Sequence, residues 1–374
     1  MELKIGSLTI ERFRALRKLK VEGLGRVNLF TGRNNTGKSS LLEALRILAS
    51  DASPTVILSI LRFREEDGGE MEELQQPLDA EGFFSLSSLF HGFPKFSSDV
   101  EPIIISSNGG MRSMRLSLGL GSVPDERVPD GFRRFLQQQE LFDDVNTRPA
   151  LIVSKGDEAR VMPLDHYRRY GLPRFPFRLN SPDESRLPCV FVSPFGGEET
   201  IALGRLWDEI ALTDYEKDIV GALKIIDEKI EAVSMIGGEG PRRTRTAIVR
   251  SDNISRPVPL RSFGDGLNRL FGIALSLVNA KGGLLLIDEF ENGLHHTVQT
   301  DIWRVIFKLA KRLDIQVVAT THSWDAIEAF QKAASEEPED GVLVRLTRKG
   351  EDIIPTVFSR EDLAIATRDR IEVR

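Results

Sequence analysis

Apolar and polar positions change period several times along the chain, and each change predicts an element. "LKIGSLTIERF" (3–13) and "RVNLFTG" (26–32) are rich in β-branched and apolar residues and bounded by glycine, which predicts strands. From Lys38 to Ala49 the spacing turns helical, with Leu41, Leu42, Leu45 and Leu48 on one face, and Pro54–Arg64 reads as a second short helix. Residues 65–95 are acidic and turn-rich, a surface loop with a short helix. "EPIIISSNGGMRSMRLSLGL" (101–120) reads as a hairpin turning at Asn108-Gly109-Gly110, 121–150 as polar loop, and "PALIVSK" and "LPCVFVSP" as strands. From Glu198 the period is helical. Thr213 and Glu216 fit a capping box, and Ile219, Leu223, Ile226, Ile230 and Val233 form one apolar stripe, predicting a long helix that stops at "GGEGPRRTRT". Short strands near 246–250 and 257–260 and a helix over Asp265–Val278 follow. "GGLLLIDEF" and "IQVVATTHS" read as buried strands, Asp301–Leu313 and Asp325–Ala334 as helices, and "GVLVRLTRKGEDIIPTVF" as a last hairpin.

Chemistry enters where these strands end. "GRNNTGKSS", residues Gly32, Arg33, Asn34, Asn35, Thr36, Gly37, Lys38, Ser39 and Ser40, fits G-x-x-x-x-G-K-[ST] between a strand and a helix. Its glycines let backbone N–H groups surround phosphate oxygens, and the helix N-terminus adds partial positive charge. In that pattern Lys38 is expected to bridge the β- and γ-phosphates of a nucleotide and the Ser39 hydroxyl to ligate Mg²⁺. The strand "LLLI" delivers Asp288 and Glu289 to its carboxyl end, where ligands of parallel sheets bind. Asp288 is therefore expected in the Mg²⁺ shell, and Glu289 as the base that takes a proton from an attacking water. His322 ends the next buried strand and can bond the γ-phosphate or that water. Ser262, Gly264 and Gly266 precede an amphipathic helix and make a second anion site. One nucleotide does not need two such sites from one chain, so this one is expected to act in trans. His295 and His296 have neither the spacing nor the cysteines of a zinc site and are expected to face a partner subunit.

Composition narrows the setting. The 374 residues are 41% hydrophobic and 28% charged, with no apolar run of membrane-spanning length and a charged, alternating N-terminus unlike a signal peptide. A lone Cys189 fits a reducing cytoplasm. The net charge of −6 argues against non-specific duplex binding, although arginines cluster at 12–17, 168–178 and 242–245 and leave nucleic acid as a candidate partner.

Taken in order, Gly32–Ser39, Ser262–Gly266, Asp288–Glu289 and His322 resemble the ABC-type ATPase heads of the SMC/RecF/OLD-like branch, most closely its AAA15/AAA21-type members. The likeness is strong over residues 1–50 and 255–330. It implies an α/β P-loop NTPase built as a single domain, with a mixed-sheet core from 1–195 and 280–374 and a helical signature lobe at about 196–279. It also places Phe13-Arg14 near an adenine base. It implies Mg²⁺-dependent ATP hydrolysis in a head-to-head homodimer, working with a separate effector such as a toprim-like nuclease in antiviral defence or genome maintenance. A RecF-like DNA-repair ATPase, a transporter's energising subunit and a nucleotide-gated scaffold without turnover are the rival readings. Ser262-Phe-Gly-Asp-Gly266 departs from the transporter signature, no heptad arm is present, and Gln75 and Gln76 lie in the wrong kind of segment to complete a Mg²⁺ shell.

Overall fold

The structure, a computed structural model, describes residues 3–66, 86–94, 99–108, 112–122, 147–162, 187–194, 200–237, 245–252, 254–336 and 341–369. The expected turn at Gly109-Gly110, Gln75 and Gln76, and the arginines at 168, 169, 174, 178, 242 and 243 lie outside these residues. The chain divides into two compact units, one of residues 1–7, 20–42 and 182–374, the other of 8–19 and 43–181.

The first unit is built on a six-stranded sheet. Its strands are β3 (Val27–Thr31), β8 (Cys189–Val192), β12 (Leu284–Ile287), β13 (Gln316–Thr321), β14 (Gly341–Lys349) and β15 (Asp352–Phe358), in the order β15-β14-β3-β13-β12-β8. All neighbours are parallel except the β14–β15 hairpin. Every residue of β3, β12 and β13 is buried, which is why these strands read as unbroken apolar runs rather than as alternations. Among the buried polar residues of these strands, Asn28 Nδ2 donates to the Gly25 and Val317 carbonyls, tying β3 to β13.

Helices α5 (Asp265–Asn279), α6 (His296–Leu313) and α7 (Trp324–Glu336) supply most of the apolar core beside the sheet. Trp303 of α6 stacks on Phe290 with ring centroids 4.0 Å apart and meets Phe330 of α7 edge-on at 5.1 Å. Such ring pairs contribute about 0.5–1.5 kcal/mol each beyond the area they bury. A final helix, α8 (Arg360–Arg368), was not expected from the sequence. The Ser359 hydroxyl starts it by accepting from Asp362 N at 3.1 Å.

The expected long helix through 213–233 is corrected. Helix α3 (Thr200–Asp208) is followed by α4, which runs only from Tyr215 to Leu223. The Asp227 carboxylate then accepts from Lys229 N at 3.0 Å, an Asx turn that stops helical hydrogen bonding. Ile230 and Val233 lie instead on β9 (Ile230–Gly237), where β-branched side chains are favoured. Strands β9, β10 (Arg245–Ser251) and β11 (Val258–Pro259) form an antiparallel three-stranded sheet, so the segment expected to be a helical lobe is mixed. The capping residues do meet the start of α4, in altered form: Thr213 Oγ1 accepts from Tyr215 N, and Glu216 accepts from Leu212 N.

The second unit holds an antiparallel sheet in the order β2-β1-β4-β5-β6-β7, from β1 (Ser7–Phe13), β2 (Leu16–Glu22), β4 (Ile103–Ser107), β5 (Arg112–Ser122), β6 (Thr147–Lys155) and β7 (Glu158–Met162). β2 did not register in the sequence because its four charged side chains mask the apolar positions Leu16, Leu19 and Val21. Helix α2 (Pro54–Phe63) forms as expected, with proline in its first turn.

Candidate functional site

Three adjacent parallel strands bring the expected chemistry to one sheet edge. Thr31 of β3 pairs in register with Thr321 of β13, and Ile287 of β12 pairs with Ala319. The residues that follow each strand, Gly32, Asp288 and His322, therefore emerge side by side at the carboxyl ends. From there the phosphate loop turns into α1 (Lys38–Ala49).

The loop requires its glycines. Gly32 (φ 150°) and Gly37 (φ 81°) hold positive φ. A Cβ on Gly32 would stand 2.5 Å from the Leu346 carbonyl oxygen and 2.8 Å from Thr36 Oγ1, so no other residue fits there. Thr36 Oγ1 donates to the Arg33 carbonyl at 2.8 Å, closing the turn, while Arg33, Asn34 and Asn35 are exposed. Lys38 is buried, and its ammonium donates to the Gly32 carbonyl at 2.6 Å and the Arg33 carbonyl at 3.0 Å. Burial holds its pKa below the ordinary lysine value, outweighing the opposite pull of the Asp288, Glu291 and Glu289 carboxylates. A buried cation at the N-terminus of a helix suits a polyanion. Ser39 is half-buried in the first turn of α1, and Ser40 is buried behind it.

The acids are held by a small network. Thr320 Oγ1 donates to Asp288 Oδ1 at 2.6 Å and accepts from Glu289 N at 2.9 Å. Asp288 is almost wholly buried, whereas Glu289 has a half-exposed side chain on a left-handed backbone (φ 48°) that turns it away from its neighbour. Asn292 Nδ2 donates to Glu289 Oε2 at 2.6 Å, and buried Phe290 anchors the turn on Trp303. Among the described residues no group of three His, Cys, Asp or Glu could hold a metal by itself. One carboxylate, Asp288, and one hydroxyl, Ser39, are instead the donor pair that suits a Mg²⁺ completed by phosphate oxygens and water.

Two further residues belong to the site. Glu291 Oε1 accepts from His322 N at 2.9 Å and faces His322 Nδ1 at 3.2 Å, whereas Glu289 Oε1 is 3.9 Å from the same nitrogen. Arg269 of α5 is buried and donates to the carbonyls of Ser193, Asp288 (3.1 Å) and Glu289 (3.3 Å). A charged residue among Leu267, Leu270 and Phe271 on the buried face of a helix was the available signal for Arg269. Glu291 carried none beyond its place two residues after Glu289.

Ser262 and Gly264 are exposed ahead of α5, and Gly264 has φ 100°. Gly266, in the first turn, would bring a Cβ within 3.0 Å of the Gly293 carbonyl, so the start of α5 lies against the acidic turn of the same chain. His295 and His296 are exposed with rings 4.2 Å apart. The expectation for Phe13-Arg14 is corrected: Phe13 is fully buried, and Arg14 forms buried ion pairs with Glu43 and Glu66 at 2.5 and 2.8 Å. In the same N-terminal cluster Lys18 faces Glu11 and Lys20 faces Glu22.

The chain is 24% identical over 390 aligned residues to the "ATP/GTP phosphatase" of Helicobacter pylori, spanning 96% of each. It is 35% identical over 101 residues to an uncharacterised protein of Methanocaldococcus jannaschii, 27% of this chain and 88% of that one. Similar solved structures include the SMC head domain from Thermotoga maritima, 13% identical, covering 96% of this chain and 100% of that one at a TM-score of 0.45. Another is an Smc head domain with an extended coiled coil bound to the C-terminal domain of ScpA, derived from Pyrococcus furiosus, 10% identical, covering 98% and 99% at 0.48. Residues 27–327, most of the chain and all of the site, match the family described as "AAA domain, putative AbiEii toxin, Type IV TA system", and the chain belongs to that family of ATPase domains.

Proposed function

We propose that this ATPase hydrolyses ATP with Mg²⁺ in a head-to-head dimer and that a separate effector reads its nucleotide state. The observation that carries the reading is the meeting of Gly32–Ser39, Asp288, Glu289 and His322 at the ends of three neighbouring strands. The loop amides and Lys38 bind and orient the β- and γ-phosphates. Mg²⁺ would be held by Ser39 and Asp288 and would neutralise phosphate oxygens as charge shifts to the leaving group. Glu289 keeps Oε2 on Asn292, which leaves Oε1 to accept the proton of a water attacking the γ-phosphorus. The bond from that phosphorus to the bridging oxygen of ADP breaks as the water oxygen bonds. His322, at the same edge, contacts the γ-phosphate or the water.

The second half of the pocket is the Ser262–Gly266 segment of another copy. Its support is the exposed serine and glycine at the start of a 15-residue helix, a ready anion site turned to solvent. The Arg269 bonds from that helix to the Glu289 carbonyl give closure a route to the base within each chain. An effector of toprim-nuclease type, and a role in antiviral defence or genome maintenance, rest on the family resemblance. No described helix is long and apolar enough to cross a membrane. The DNA-repair reading has less support, since Arg14, Lys18 and Lys20 already face carboxylates.

Glu289→Gln keeps the shape and removes the base, so it should accumulate a dimer in ATP and Mg²⁺, read by light scattering. Lys38→Ala should stay monomeric because it lacks charge-assisted bonds to phosphate, a loss of roughly 10- to 100-fold in ATP affinity. A Glu289→Gln protein of monomer mass at saturating ATP would reject the dimer, and phosphate release stimulated many-fold by duplex DNA would favour the repair reading.

A further inference from the structure

Glu291 is largely covered beside the reacting edge, and the proposed hydrolysis gives it no task. Its side chain is 10% exposed, against 47% for His322. One oxygen, Oε1, lies within reach of both the backbone nitrogen and Nδ1 of His322, at 2.9 and 3.2 Å. The other, Oε2, is buried with no hydrogen-bond partner among the described residues. Glu289, the acid assigned as base, is farther from the ring and is held by Asn292 instead.

An ionised carboxylate can only accept hydrogen bonds. A ring nitrogen that bonds Oε1 must therefore carry the hydrogen, and fixing one ring nitrogen fixes what the other presents. The backbone bond adds a second constraint. Because the same oxygen accepts from His322 N, the carboxylate moves with the peptide that bears the ring, and one oxygen faces both the main chain and the ring of His322. We infer that Glu291 is a positioning residue: it holds His322 in the Nδ1–H form and aims Nε2 at the terminal phosphate and the attacking water. This rests on the ATPase site proposed above, but the state of the ring can be read without nucleotide.

The test pairs kinetics with spectroscopy. Phosphate release is followed for the wild type, Glu291→Ala, Glu291→Gln, His322→Ala and the Glu291→Ala/His322→Ala double variant. Histidine ¹⁵N spectra of the nucleotide-free proteins are recorded alongside, with His322→Ala assigning the signal. Glu291→Ala should lower kcat on the order of ten-fold and leave the KM for ATP within about two-fold. Glu291→Gln should keep most of the rate, because an amide oxygen accepts the same two hydrogens. The double variant should be no slower than His322→Ala alone, whereas a merely structural role would make the losses multiply. The ring should be Nδ1–H in the wild type and lose that preference in Glu291→Ala. Multiplying losses, an unchanged kcat, a glutamine variant as slow as alanine, or an unaltered ring would each overturn the inference. A wild type that releases no phosphate would instead count against the ATPase site, and the ring signal would still decide the role of Glu291.

Discussion

Lys38 illustrates how a single side chain can oppose folding while serving binding. Its folded pKa lies below the unfolded value, so below that folded pKa the buried charge costs stability. As pH rises from the folded value toward the unfolded one, the unfolded chain binds more protons and the cost disappears. Lys38→Met, similar in shape and uncharged, should therefore be more stable than the wild type at neutral pH in urea melts. The gap should narrow as pH climbs toward the lysine range, and a gap that widened would refute the account. Lys38, Asp288, Glu289 and His322 could be found in the sequence because each stands at a fixed place beside a strand end or a glycine loop. Glu291 and Arg269 could not be assigned roles there. Glu291 acts through His322, 31 residues away along the chain, and Arg269 through main-chain carbonyls, which carry no residue signature.

Helix α5 and the acidic turn show why elements were easier to find than to bound. The run Asp265–Val278 was legible from its apolar face, yet a helix stripe and a strand both place apolar residues within a few positions of one another. Ile226, Ile230 and Val233 fitted the helical spacing until Asp227 supplied a local bond that ended it. What joins α5 to the carboxyl ends of β8 and β12 is Arg269, whose planar fork serves three carbonyls contributed by two strand ends. Arg269→Ala would leave those acceptors without their charged donor and should cost about 1–3 kcal/mol for each carbonyl left unsatisfied, read in chemical denaturation. Arg269→Lys keeps the charge but not the fork. It should recover part of the stability while turnover stays depressed, and full recovery of turnover by lysine would show that charge alone suffices.

Across the whole molecule, the presence of a P-loop sheet could be read from the sequence, but the order of its strands could not. Nothing in the local pattern of β3 announces that it lies between β13 and β14, which come from the far end of the chain. The division of the chain was equally hidden, because residues 8–19 enter the second unit while 20–42 return to the first. ATP with Mg²⁺ at about 100 times its Kd should stabilise the folded protein by ~2.7 kcal/mol. Hydrogen exchange should slow first at 27–42, 284–293 and 316–323, and Lys38→Ala should abolish both effects. The Thr320 hydroxyl ties the last two of these segments together, bonded on one side to the Asp288 carboxylate and on the other to the peptide of Glu289. A lineage could not shift the Asp288 carboxylate independently of the Glu289 peptide: one crossbar carries both, and any drift in one setting drags the other along.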